Sequence, residues 1–193
     1  MKKLFVLFFF SFLVTNIYAQ KILANGTPMK TKPGWFLYAT SGVQYAYIKD
    51  LDFGIFTKLY VSLLCEFNKK NNTKLFYLEL STSSEDKIDI KKGSPLLLKM
   101  ADNSVITLKN SSYYAPDYSA RFNDYYTSCD CLITNAQLNT IRNTNTIKLR
   151  IMSVTKRLDY NLPVDNFRNA INSCYDILIK EIDKKQTGLY DNF

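Results

Sequence analysis

Leu59-Tyr60-Val61-Ser62-Leu63-Leu64-Cys65-Glu66-Phe67, then the polar stretch Asn68-Lys69-Lys70-Asn71-Asn72, then Lys74-Leu75-Phe76-Tyr77-Leu78-Glu79-Leu80, decides how this chain folds. Leu59, Val61, Leu63, Cys65 and Phe67 recur at period two, and Phe76, Leu78 and Leu80 repeat the pattern on the way back. Successive side chains of a strand point to opposite faces, so this alternation predicts an antiparallel hairpin with one apolar and one polar face. The Asn/Lys stretch between the two runs is the turn.

The flanking sequence continues in the same style. Pro95–Met100 and Ser104–Leu108 flank Ala101-Asp102-Asn103, a second hairpin whose Asx residues tolerate positive φ. Val43–Ile48 reads as a strand, as does Tyr125–Ile133 with Thr127, Cys129, Cys131 and Ile133 on one face. Lys109 to Asp124 is a polar, tyrosine-rich connection. Thr134 is placed to cap a short helix, Asn135–Arg142, in which Leu138 and Ile141 share a side. Thr146–Val154 resumes as a strand with Ile147, Leu149 and Ile151 inward and Lys148 and Arg150 outward, and Arg157–Leu162 is its expected partner. The chain then turns amphipathic. Asp165 stands at a cap position, and Phe167, Ala170, Ile171, Cys174, Ile177, Leu178 and Ile182 follow the i, i+3, i+4, i+7 spacing of a helix over 165–185. The expected fold class is α+β: a mostly antiparallel sheet, or a two-sheet sandwich, with the C-terminal helix packed on it.

At the other end, Lys2 and Lys3 precede an apolar run from Leu4 to Val14, and Ile17-Tyr18-Ala19 offers a small-residue exit. That is the pattern of a secretory signal peptide over residues 1–19. The run is shorter than the ~20 residues of a spanning helix, and no cysteine follows it to carry a lipid. The expectation is an exported protein, periplasmic or extracellular, with no transmembrane span in its mature form. Residues 20–42 read as an irregular segment, since Gly26, Pro28, Pro33 and Gly34 break any period and only Trp35–Tyr38 suits a short strand. Residues 43–186 form the single domain, and 187–193 a tail.

Lys92-Gly93-Ser94-Pro95-Leu96-Leu97-Leu98-Lys99, the Asp102-Asn103 turn, Val105–Leu108, Ile133-Thr134-Asn135-Ala136-Gln137-Leu138 and Ile147–Ile151 occur in one order ahead of a terminal helix. In that order, and in its Tyr18-Ala19-Gln20 exit, the chain resembles small exported proteins of unknown function from Bacteroidetes-type bacteria. The resemblance spans roughly residues 59 to 185. It implies location and fold, and carries no activity or catalytic residue across.

Composition excludes several chemistries. The chain contains no histidine, so Ser-His-Asp and Cys-His nucleophiles and most zinc and facial-triad sites are ruled out. Lys and Arg total 25 against 17 Asp and Glu; Lys2 and Lys3 leave with the leader, so the mature chain carries about +6. That excess is spread along the chain, without the basic stripe of a nucleic-acid binder. The glycines are scattered and cradle no phosphate. No cofactor and no metal is expected. Cys65, Cys129, Cys131 and Cys174 all fall on core-facing positions. Export permits a disulfide, with Cys174 to Cys129 or Cys131 stapling helix to sheet; the alternative is four buried thiols packing as small hydrophobes.

Three groups of residues are candidates for function. Tyr113, Tyr114 and Tyr118, with Arg121 and Tyr125, form either an aromatic surface for a glycan or another envelope protein, or a cover folded over a sheet edge. Lys148 and Arg150 make an exposed basic strip that either meets an anionic partner or deters edge pairing. Glu66, Glu79, Glu85, Asp86 and Asp89 are the carboxylates a glycan hydrolase would need in pairs, although nothing in their spacing sets two across a cleft. The expected role is a non-enzymatic binding or structural module. The alternatives are a carboxylate-dependent glycan hydrolase and an envelope assembly subunit that lends a strand to a neighbour.

Overall fold

The hairpin that decides the fold is longer than its apolar core. In the computed structural model, which describes residues 29–32, 35–39, 43–49, 56–68, 70–162 and 165–186, β4 (Phe56–Asn68) and β5 (Thr73–Ser84) pair antiparallel from Lys58↔Ser83 to Asn68↔Thr73. β1 (Met29–Lys32), β2 (Trp35–Ala39) and β3 (Val43–Lys49) precede them. After them come β6 (Pro95–Met100), β7 (Val105–Lys109), β8 (Asp117–Ser119), β9 (Asp124–Ile133), α1 (Asn135–Asn143), β10 (Thr146–Met152), β11 (Arg157–Asn161) and α2 (Asn166–Gln186). Residues 1–19, expected to be a signal peptide, residues 20–28 and the expected tail 187–193 lie outside the described residues.

Two antiparallel sheets result. The larger has seven strands in the order β1-β2-β4-β5-β9-β8, with β3 also paired to β4. Because β5 occupies one edge of β4, β2 and β3 share the other edge end to end: β2 pairs with Leu64–Asn68 and β3 with Phe56–Val61. The smaller sheet has the order β11-β10-β6-β7. Both the sheet-and-helix and the sandwich expectations are met at once, because the second sheet and α2 divide one face of the large sheet between them. At one end of that face, Tyr175 of α2 meets Phe76 of β5 with ring centroids 5.5 Å apart. At the other end, the hydroxyls of Thr82 on β5 and Tyr160 on β11 share a 3.2 Å hydrogen bond.

The core between these layers is one cluster. Leu59, Val61, Leu63, Cys65 and Phe67, the residues whose spacing predicts the hairpin, are all buried, and so are Phe167, Ile171, Cys174, Leu178 and Ile182 of the helix stripe. α2 docks chiefly on β4 and touches α1. The N-terminus of α1 is satisfied locally: Thr134 Oγ1 accepts from Gln137 N–H, and Gln137 Oε1 accepts from Thr134 N–H, a reciprocal capping box. Asp165 begins α2 with its carbonyl accepting from Asn169 N–H, while its carboxylate is held by Arg168 at 2.8 Å. The β6–β7 turn forms as expected, with Asn103 at φ 67°.

Several expectations need correction. Residues 29–32 are a strand rather than irregular chain, paired to β2; the Pro33-Gly34 that interrupts the period stands between two paired strands. β5 runs four residues past Leu80, since Thr82, Ser83 and Ser84 are buried and pair with Thr127, Tyr126 and Tyr125 of β9. A register shift between Thr146 and Lys148 turns Thr146 inward and leaves Ile147 half-buried instead of in the core. The connection 109–124 contains β8, an edge strand. All four cysteines are buried, and none is joined in a disulfide. β5 separates Cys65 from Cys129 and Cys131, a gap of about 10 Å across two strand spacings. That exceeds the ~7 Å between Cα atoms that a disulfide bridges, and Cys174 rides a helix docked on β4 rather than on β9. Burial pushes the Cys65 thiol up to about 12, and Cys129 is raised by its hydrogen bond to Cys131 and by burial, so neither supplies a thiolate.

Candidate functional site

The tyrosine-rich segment is laid along the β9 edge of the large sheet. Asn110 bridges to Cys131, Ser111 N–H donates to Asp130 C=O at 2.7 Å, and Leu132 N–H donates to Ser111 Oγ at 3.1 Å. Seven residues later β8 pairs with Tyr126, Tyr125 and Asp124 near the start of β9. The five residues of the expected aromatic surface are thereby split. Tyr113 lies with its ring 4.3 Å from Lys91 Nζ, and Lys91 is itself paired to Asp89 at 2.9 Å. Tyr114 leans toward Asp130, whose carboxyl is pushed above the usual range, mainly by burial with Glu79 adding like charge. Tyr118 and Tyr125 sit further along, rings 5.0 Å apart, with Tyr118 Oη donating to Asn123 Oδ1 at 2.9 Å. Arg121 lies over Phe122 in the turn beyond. Edge cover, rather than one convergent site, is what these residues build.

The carboxylates are likewise dispersed, Glu66 and Glu79 on the large sheet and Glu85, Asp86 and Asp89 in the segment after β5. Glu66 and Glu79 do not face each other: Leu75 is opposite Glu66, and Ser62 is opposite Glu79. Tyr77 Oη donates to Glu66 at 3.3 Å, and Ser62 Oγ donates to Glu79 at 2.6 Å. Asp86 pairs with Lys156. Glu79 does neighbour Asp130 across the strands, but Asp130 is buried beneath Tyr114 and Ser112.

Lys148 and Arg150 occupy the outer face of the small sheet, as their alternation predicts. Arg150 makes a bidentate pair with Asp159 at 2.6 and 2.9 Å, and Lys148 and Arg157 approach the same carboxylate at 3.3 and 3.4 Å. The Arg150 hydrogen bonds, followed by Lys148, hold the Asp159 carboxyl below the usual carboxylate range. A depressed folded-state value gives stability that is complete above the unfolded value of about 3.9 and is lost as the pH falls toward the folded one. Urea titrations between about pH 3 and pH 7 should show this acid-side loss shrinking in Asp159→Asn.

Among the described residues, a concavity lies where the β4–β5 turn meets α1 and α2, and the sequence reading did not pick it out. Its volume is about 460 Å³, within the range of small-molecule sites. The turn supplies Asn72, Thr73 and Lys74, with Asn72 at φ 57° and Asn71 Oδ1 accepting from Thr73 N–H. From α1 come Asn135 and Asn139, four residues apart and hence on one face of the helix, with Leu138 beside them. Phe76 and Tyr175 form an aromatic wall. Tyr175 is held by Arg142, whose guanidinium lies 3.6 Å from the ring centroid. Arg142 is fixed in turn by Asn172, donating from Nε at 2.8 Å and accepting at its carbonyl from Nδ2 at 3.1 Å. The wall is therefore rigid. Three amides, a threonine hydroxyl and an ammonium line the cleft beside it, and among the described residues no carboxylate does.

Among the described residues, no group of His, Cys, Asp and Glu is arranged to hold a metal, and no helix is long and apolar enough to cross a membrane. No protein family, curated protein or solved structure matches the chain.

Proposed function

We propose that this protein is an exported, non-enzymatic binding module whose ligand is a neutral glycan, bound in the cleft between the β4–β5 turn, α1 and α2. One observation carries the reading: Asn72, Asn135 and Asn139 line one cleft with the half-buried Tyr175, whose ring is fixed between Phe76 and Arg142. An amide presents one acceptor and two donors in a plane, which suits adjacent hydroxyls of a sugar. The apolar C–H groups of a pyranose pack against the edge of the Tyr175 ring, and a side chain already fixed by Arg142 and Phe76 lowers the ordering cost of binding. Export rests on the leader-like residues 1–19. A carboxylate-dependent hydrolase has less support, since that chemistry needs two acids flanking the bound sugar and the described residues of the cleft lining supply none.

Titration of the protein with a panel of neutral oligosaccharides, followed by heteronuclear NMR, tests this. Shifts should cluster at residues 72–76, 135–139 and 175. Asn135 and Asn139 are exposed, so Asn135→Ala/Asn139→Ala should weaken binding roughly tenfold or more with an unchanged melting temperature. Equal binding by parent and double variant, or shifts confined to the tyrosine segment, would overturn the cleft as the site.

A further inference from the structure

The outer face of the small sheet carries charge that the described residues do not balance. Alternation along β6, β7, β10 and β11 puts Lys99, Lys109, Lys148, Arg150 and Arg157 on that face, opposed by Asp159 alone. Asp159 already serves Arg150, Lys148 and Arg157. Lys99 and Lys109 have no ion pair among the described residues. The register sets Lys99 directly opposite Lys148. Like charges facing each other across paired strands destabilise a sheet, so this placement costs the free protein stability.

Shape accompanies charge. Lys99, Lys148 and Arg150 rim a groove of about 140 Å³ whose floor is Leu97 and Val105. Val105 is 56% exposed, more than any buried-face role would leave it. We infer that this groove binds a carboxylated sugar unit of an acidic polysaccharide, at a second site separate from the neutral-glycan cleft. The ring's C–H face rests on Leu97 and Val105, and its carboxylate lies between Lys99 and Lys148, where it relieves their repulsion. Arg150 uses Nε and Nη2 on Asp159 and has further N–H donors for ring hydroxyls. Lys109 and Arg157 on the flanking strands meet neighbouring charges of the same chain. A concave floor favours a sugar over a lipid surface, which is met by protruding apolar side chains. A peptide adding a strand would use a sheet edge rather than this face.

Binding of the full chain to polygalacturonate is the test, with uncharged dextran and vesicles containing phosphatidylglycerol as comparisons, at low and at physiological salt. Polygalacturonate should bind, and more weakly as salt rises, because the pairs are exposed. Lys99→Gln/Lys148→Gln should bind it roughly tenfold less tightly or worse. The same variant should melt close to the parent, since removal of the repulsive pair offsets the lost Lys148 contact with Asp159, which keeps Arg150. Asn135→Ala/Asn139→Ala should bind polygalacturonate normally, which separates this site from the cleft. Undiminished binding by the lysine variant, absence of binding at low salt, or lysine-dependent binding to the vesicles without binding to polygalacturonate would each refute the inference.

Discussion

Asn110→Ala should lower the unfolding free energy by about 3 kcal/mol, read as a fall in the urea midpoint at unchanged slope. Asn110 is 3% exposed and stands where the two sheets are tied together. Its backbone joins the β6 side, donating to Ser94 C=O at 2.9 Å and accepting from Gly93 N–H at 2.8 Å. Its side chain reaches the large sheet, where Oδ1 accepts from Asp130 N–H at 3.1 Å. Nδ2 donates to the carbonyls of Lys91 and Ile90 at 3.2 and 3.4 Å. Alanine leaves the Asp130 N–H buried with no acceptor and removes a donor from both carbonyls. An orphaned buried group costs roughly 1–3 kcal/mol, more than the net worth of the bond that satisfied it. Asn110→Asp keeps the acceptor but loses both donated bonds and buries a charge, so it should be at least as damaging at neutral pH. A loss below about 1 kcal/mol for alanine would mean that water replaces the amide and that the sheets are held by apolar packing alone.

Asn110 also marks the limit of what the sequence discloses. Period-two runs such as Leu59–Phe67 and the 3.6-residue stripe of α2 are legible because one face is buried along the whole element, so the pattern repeats often enough to be seen. The Asp102-Asn103 turn is legible for a different reason, since a single Asx at positive φ is a local requirement. Elements held by partners distant in sequence leave no such mark. β8 and the Ser81–Ser84 end of β5 are polar and are specified by pairing with β9, some forty residues away in the case of Ser83↔Tyr126. Ile88 and Ile90 are core residues in a segment without regular structure, so periodicity passes over them. Of the candidate surfaces, Lys148 and Arg150 were placed by alternation, whereas the register that opposes Lys148 to Lys99 depends on how two hairpins dock. The cleft was hidden most completely. Asn72, Asn135 and Asn139 each have an ordinary local reading as turn or helix-surface residues, and only packing brings them to Tyr175. The one available sign was the four-residue spacing of Asn135 and Asn139 on the side of α1 away from the core.

Leu178→Ala should cost about 3 kcal/mol, within the roughly 2–5 kcal/mol seen for buried leucines, and should do so without abolishing the strands. Leu178 is fully buried at the centre of the stripe that α2 lays on β4. Most helical stability in proteins comes from packing of an amphipathic face, so the order of α2 derives from the dock more than from propensity. Truncation removes apolar area and leaves a cavity that packed strands on one side cannot close. The effect should therefore appear in two ways at once: a lower urea midpoint, and faster hydrogen exchange in α2 than in β4 or β5. Lys180→Ala, two residues along on the exposed side, should change stability by less than about 0.5 kcal/mol. The cleft supplies an independent readout, because Tyr175 belongs to the same helix and Phe76 to the sheet beneath it. If α2 positions the aromatic wall, Leu178→Ala should weaken neutral-glycan binding although Leu178 does not line the cleft. A helix that exchanges no faster after the substitution, with stability within about 1 kcal/mol of the parent, would mean that α2 is not held by its apolar stripe.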